Sequence, residues 1–106
     1  MQYKEIGNTG IKVSKIGVGT WQFGQTDAWG PADIKECQRV VDYAINAGVN
    51  LFDTAEGYGE SEEILGELLK GKRDKVVLAT KIGGSQWDYG TMKAHLAKSL
   101  QRLKTD

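Results

Sequence analysis

The sequence predicts an α/β fold: an amino-terminal hairpin, then three strand–helix units whose strands run parallel. Three observations carry this reading. Short apolar runs at residues 14–20, 49–53 and 75–81 are each long enough for a strand. Stretches with apolar residues at helical spacing follow them, and strands that alternate with helices favour a parallel sheet. Two of the runs end in an ionisable side chain, Asp53 and Lys81, where the strand gives way to a loop.

The elements follow in order. Residues 3–6 and 12–13 alternate around Gly7-Asn8-Thr9-Gly10, which predicts the hairpin. Residues 14–20 form the first parallel strand. Its Gly17-Val18-Gly19 is followed by Thr20-Trp21-Gln22, so the third glycine of a dinucleotide fingerprint is missing and a Rossmann unit is rejected. Residues 23–31 read as a loop that offers Trp29. Asp33 and Glu36 have the spacing of a capping box, and Ile34, Cys37, Val41, Ala44 and Ile45 make a helical stripe that stops at Gly48. In the second strand, residues 49–53, alternation puts Leu51 and Asp53 on one face and Phe52 on the other.

Gly57 and Gly59 let the next loop turn around Tyr58. Ser61 is the expected cap of the second helix, whose buried face is Ile64, Leu65, Leu68 and Leu69. Glu62, Glu63 and Glu67 read as its solvated face, Gly66 as a point of close packing on the sheet, and Gly71 as its stop. In the third strand, residues 75–81, Val77, Ala79 and Lys81 share a face, which sets Lys81 level with Asp53. A loop over residues 82–90 offers Trp87 and Tyr89. Thr91 then opens a third helix with Met92, Leu96, Leu100 and Leu103 as its stripe. His95, the single histidine, falls beside that stripe and reads as an ordinary boundary residue.

Asp53, Tyr58 and Lys81 form a chemical set. Parallel neighbours lie about 4.8 Å apart, so an acid and an amine at adjacent strand ends can pair, and both can reach the tyrosine. A free phenol has a pKa near ~10 and is a poor acid at neutral pH. An ammonium beside it favours the phenolate, and about 3–4 kcal/mol of such bias would bring it toward neutrality. Asp53 would keep Lys81 charged and oriented. The result is a proton donor for a carbonyl oxygen that gains negative charge.

These residues stand within motifs that resemble the aldo-keto reductase family. The motifs are Gly17-Val18-Gly19-Thr20-Trp21, Asn50-Leu51-Phe52-Asp53-Thr54-Ala55-Glu56-Gly57-Tyr58-Gly59, Glu62-Glu63-Ile64-Leu65-Gly66, Ala79-Thr80-Lys81 and Ser99-Leu100-Gln101-Arg102-Leu103. Their spacing is similar to the branch of bacterial general reductases and potassium-channel β-subunits. The resemblance implies a (β/α)8 TIM barrel, of which residues 1–106 would supply the hairpin and the first three units. It implies reduction of a small aldehyde or ketone by NADPH. The implied catalytic residues are Asp53, Tyr58 and Lys81, joined in the family by a histidine on the fourth strand, which would begin near Asp106. Gly19, Thr20, Trp21 and Asp53 are implied to lie beside the nicotinamide, and Trp21, Trp29 and Trp87 to wall the substrate pocket. The segments that grip the pyrophosphate would lie near the barrel's end.

Length and composition bound the rest. At 106 residues the chain is at most one domain, whereas a (β/α)8 barrel needs about 250. It is therefore expected to be an amino-terminal part of the barrel, inactive alone. The alternative is a non-catalytic or split-barrel piece completed by the rest of the barrel or by another copy. Fourteen basic residues balance fourteen acidic ones, which argues against a nucleic-acid partner. No apolar run is long enough to predict a signal peptide or a membrane span. The single Cys37 fits a reducing compartment, so a cytoplasmic protein is expected, and no metal-ligand cluster is present.

Overall fold

The computed structural model describes residues 1–85 and 87–106; Gln86, in the expected loop 82–90, lies outside them. Strands β1 (Tyr3–Glu5) and β2 (Lys12–Ser14) pair antiparallel, with Tyr3 opposite Ser14. Asn50 fastens this hairpin to the sheet. Its amide oxygen accepts from the Ser14 N–H at 2.7 Å and its amide nitrogen donates to the Lys12 carbonyl at 3.0 Å. Because Asn50 immediately precedes a strand, the hairpin covers the amino end of the sheet and leaves the carboxyl ends open.

The sheet has three parallel strands in the order β3 (Gly17–Gly19), β4 (Leu51–Asp53), β5 (Val77–Ala79). Gly19, Asp53 and Ala79 lie level at its carboxyl end. Each strand is shorter than the apolar run that predicts it. Ser14 belongs to the hairpin, and a 3₁₀ turn at Arg73–Lys75 occupies the start of the third run. Backbone pairing nonetheless continues beyond the strands: the Thr54 N–H reaches the Ala79 carbonyl at 2.8 Å and the Glu56 N–H reaches the Lys81 carbonyl at 3.0 Å.

Phe52 is fully buried on the helix-facing side of β4, and Leu51 and Asp53 take the other side, as alternation requires. Phe52 belongs to a buried apolar cluster that includes Cys37, Val41 and Ala44 of α3 (Ile34–Asn46), Leu65 and Leu68 of α4 (Ser61–Leu68) and Leu103 of α5 (Tyr89–Leu103). Asp33 caps α3 by accepting from the Lys35 and Glu36 N–H groups. Glu36 turns to Arg39 instead of closing a capping box. The expected loop 23–31 contains two short helical turns, α1 (Trp21–Gly24) and α2 (Thr26–Trp29). Helix α5 starts before Thr91, because Asp88 is its cap and accepts from both the Thr91 N–H and its hydroxyl. Of its apolar stripe, Leu103 is buried while Met92 and Leu96 are exposed. Among the described residues β3 and β5 each have one strand partner, so the sheet is not closed.

Gly66 corrects one expectation. Its close contact is with α5, not with the sheet: a Cβ there would lie 2.4 Å from the Arg102 carbonyl oxygen and 2.9 Å from the Leu103 carbonyl carbon. Backbone cannot yield as a flexible side chain can, so the two helices approach this closely only across a glycine. Gly66→Ala should lower unfolding stability of the whole natural polypeptide by about 1–3 kcal/mol, outweighing its gain of about 1 kcal/mol in helix propensity. Denaturant unfolding measures this, and an unchanged or higher midpoint would contradict the packing described.

Candidate active site at the carboxyl ends of the strands

Asp53 closes β4, and Tyr58 lies five residues on in the following loop. The sequence predicts Lys81 level with Asp53, but Ala79 stands there instead. Lys81 stands two residues further along, and its long side chain reaches back across the rim. Its Nζ donates to Asp53 Oδ2 at 2.7 Å and to the Thr54 carbonyl at 2.8 Å, and lies 3.4 Å from the Tyr58 hydroxyl. The same ammonium sits 4.8 Å from the centroid of the Tyr58 ring. Its three N–H donors thus have three acceptors. Partial burial pulls the Lys81 ammonium toward neutrality, but bonding to Asp53 and Tyr58 outweighs this and raises its pKa above the ordinary lysine value. The Lys81 and Asp53 side chains are 52% and 42% exposed, so as a stabilising ion pair they are worth at most about 1 kcal/mol. The pair fixes geometry more than it holds the fold.

Tyr58 is held by backbone. A Cβ on Gly24 would lie 1.8 Å from the Tyr58 carbonyl oxygen, and one on Gly59, at φ +56, would lie 2.2 Å from the Gly24 carbonyl oxygen. Two glycines therefore let α1 and the tyrosine loop touch. The Gln25 amide adds a bond to the Gly57 carbonyl at 2.8 Å.

Beneath the rim lie three fully buried hydroxyls. Ser61 Oγ donates to the Thr20 carbonyl at 2.7 Å and lies 2.8 Å from Thr20 Oγ1 and 2.9 Å from Thr54 Oγ1. This cluster joins the ends of β3 and β4 to the start of α4, so Ser61 is a tie between elements and not the expected helix cap; that place is Glu60's, without a side-chain bond. Thr20 likewise is not on the rim. It is fully buried, and its hydroxyl also bonds the Asp53 carbonyl at 3.0 Å. Its neighbours Gly19 and Trp21 are the exposed residues there.

The tryptophans divide. Trp21 meets Trp29 edge to face, with centroids 5.5 Å apart, and lies 6.5 Å from the Tyr58 ring. Trp87 is exposed and joins neither ring contact.

A second group escapes the sequence reading. Glu62 is 1% exposed, contrary to the solvated face expected of it. A buried carboxylate needs partners, and it has the Thr80 hydroxyl at 2.6 Å and Arg102 Nη1 at 3.0 Å. Glu56 accepts from the Gly83 N–H at 3.0 Å and meets His95 Nδ1 at 2.7 and 2.8 Å, with Arg102 at 3.7 Å. His95 bonding, the Gly83 N–H and the Arg102 charge hold the Glu56 carboxyl below the usual carboxylate range. A histidine and an arginine seven positions apart on α5, facing two glutamates, were the available signal. Among the described residues no His, Cys, Asp and Glu group could hold a metal ion, and no helix is long and apolar enough to cross a membrane.

An acid, a lysine and a tyrosine thus meet at the carboxyl-end rim of a parallel sheet, the face on which barrel folds carry their sites. The model of the aldo/keto reductase family matches residues 15–106, and the chain belongs to that family. It is 41% identical to the aldo-keto reductase YhdN of Bacillus subtilis, covering 100% of this chain and 35% of that protein. It is 36% identical to a probable voltage-gated potassium channel subunit beta of Oryza sativa, again over 100% of this chain and 35% of that one. The chain thus spans about a third of the length of these relatives. Among solved structures, a putative aldo-keto reductase from Pseudomonas aeruginosa superposes with TM-score 0.86 at 37% identity, covering 98% of this chain and 42% of that one. An aldo-keto reductase from Klebsiella pneumoniae in complex with NADPH superposes with TM-score 0.77 at 33% identity, over 90% of this chain and 33% of that one. The hairpin and open sheet match the amino-terminal part of such TIM barrels.

Because its folded-state pKa is depressed, Glu56 contributes stability that is complete above the unfolded carboxylate value, about 4.3, and is lost as pH falls through the folded value. Glu56→Gln should therefore cost the whole natural polypeptide about 1–2 kcal/mol near pH 5 and progressively less below about pH 4. Unfolding curves of both proteins from pH 5 to 3 check this; a penalty that grows over that range toward acid would contradict it.

Proposed function

We propose that the polypeptide to which this chain belongs reduces small aldehydes or ketones with NADPH, Tyr58 serving as the proton donor. The observation that carries the reading is a single ammonium, Lys81 Nζ, 2.7 Å from Asp53 and 3.4 Å from the Tyr58 hydroxyl at the open end of the sheet. The NADPH bound in the Klebsiella pneumoniae relative supports the choice of cofactor.

The residues present suit the nicotinamide end of such a cofactor. Gly19 has no atom within 4 Å of where a Cβ would stand, which leaves room for a flat ring against the backbone. The edge-to-face pair of Trp21 and Trp29 gives an apolar wall beside Tyr58. When bound, NADPH supplies a hydride to the carbonyl carbon. Tyr58 gives its proton to the carbonyl oxygen as that oxygen gains charge. The Lys81 ammonium faces the oxygen that Tyr58 is left with and stabilises it. Asp53 keeps Lys81 on the rim instead of in solvent, and the Thr54 carbonyl fixes it from below. Residues 1–106 alone are inactive on this reading, because the family's histidine and pyrophosphate-gripping segments fall outside them. The buried, unpaired Cys37 suits a reducing compartment, and we place the reaction in the cytoplasm, with no nucleic-acid or membrane partner.

In the whole natural polypeptide, Tyr58→Phe should lower kcat by about 10²–10⁴-fold while the Kd for NADPH stays within about twofold. Steady-state reduction of an aromatic aldehyde and fluorescence titration with NADPH measure the two quantities. Turnover that survives the loss of the hydroxyl would remove the assignment.

A further inference from the structure

We infer that Glu56 is a positioning residue that sets Lys81 against Tyr58, with His95 of α5 acting through it; the inference rests on the reading that Lys81 and Tyr58 carry the chemistry. Glu56 grips both ends of the short segment that bears Lys81. Its backbone N–H donates to the Lys81 carbonyl at 3.0 Å, and its carboxylate accepts from the Gly83 N–H at 3.0 Å. Glu56 also stands two residues before Tyr58, so one residue is shared between the loop that carries the phenol and the segment that carries the amine. Rotation of its side chain would free Gly83 and let the Lys81 backbone drift. A misplacement of about 1 Å at a reacting group can cost on the order of 10²-fold in rate.

The carboxylate is fixed from outside the sheet. His95 Nδ1 meets both its oxygens, at 2.7 and 2.8 Å, and the two side chains are 32% and 14% exposed, so water competes weakly for the contact. Arg102, seven positions on along the same helix, stands 3.7 Å from Glu56 and 3.0 Å from the buried Glu62. Glu62 in turn accepts from the Thr80 hydroxyl, the residue just before Lys81. The segment around Lys81 is therefore held by two glutamates that α5 braces, at the Thr80 hydroxyl, the Lys81 carbonyl and the Gly83 N–H. Neither His95 nor Glu56 touches the Asp53, Tyr58 or Lys81 side chains in any bond described above, so their effect on the rim is through the backbone.

Amide exchange of Gly83, followed by NMR on the whole natural polypeptide, reads the clamp without any turnover; kcat and the NADPH Kd read its consequence. His95→Leu should speed Gly83 exchange by about 10-fold or more, lower kcat by about 10–100-fold and leave the NADPH Kd within about twofold. His95→Asn, whose amide N–H can stand where Nδ1 stands, should restore exchange and kcat to within about threefold. Glu56→Gln keeps an acceptor for Gly83 but loses the charge that binds Arg102, and should fall between the two; it decides the matter if His95→Leu does not fold. Unchanged Gly83 exchange in His95→Leu, faster exchange with unchanged kcat, or no recovery in His95→Asn would each overturn the inference. A wild-type protein that reduces no carbonyl would sink the functional reading instead, and the clamp would then stand or fall on Gly83 exchange alone.

Discussion

The site depends on Lys81 reaching backward. The strand pairing sets Ala79, not Lys81, opposite Asp53, so the ammonium comes to the acid only because a long side chain folds back over the rim. That return brings it to the Tyr58 hydroxyl and to the Thr54 carbonyl as well. A shorter cation, or a strand ending one residue later, would not satisfy all three acceptors from one nitrogen. The Coulomb attraction does not enforce this on its own, because a half-exposed pair is weakly stabilising. What enforces it is the framework that fixes where each of the three residues leaves the backbone.

That framework has three parts, each of a different physical kind. Gly24 and Gly59 allow backbone to touch backbone, which sets the tyrosine loop on α1. The hydroxyls of Thr20, Thr54 and Ser61 tie two strand ends to α4, and full burial makes each of those bonds costly to break. Glu56 and Glu62 hold the segment that follows β5, and α5 supplies the arginine and the histidine that satisfy them. Phe52, on the far face of the same strand as Asp53, anchors the sheet to the helices. The hydrophobic core and the polar rim are thus opposite faces of one three-residue strand.

The sequence made the rim legible where the signal is local. Period-two alternation placed Asp53 and Phe52 on opposite faces, and flanking glycines marked Tyr58 as a turning point. Non-local facts were not legible. Glu62 occupies a helix's first turn, where a solvated carboxylate is common; its burial depends on Arg102, far along the chain. Ser61 has the chemistry of a cap, and only the meeting of three elements directs its hydroxyl inward. Gly66 signalled close packing but not against what, because the crossing of α4 and α5 is a tertiary fact. Register belongs to the pair of strands and not to either sequence: β5 sets Ala79 opposite Asp53 and ends there, two residues before Lys81. His95 looks like a boundary residue on its own helix, because its partner Glu56 lies 39 positions back along the chain.

On the proposed function, Asp53 acts on Tyr58 through Lys81. A double-mutant cycle on kcat/KM with Asp53→Asn and Lys81→Met in the whole natural polypeptide tests it most directly. The double variant should be no slower than the slower single one, within about threefold, since either change breaks the same Asp53–Lys81 contact. Losses that multiply would mean the acid and the amine act independently, and the coupled rim described here would be wrong.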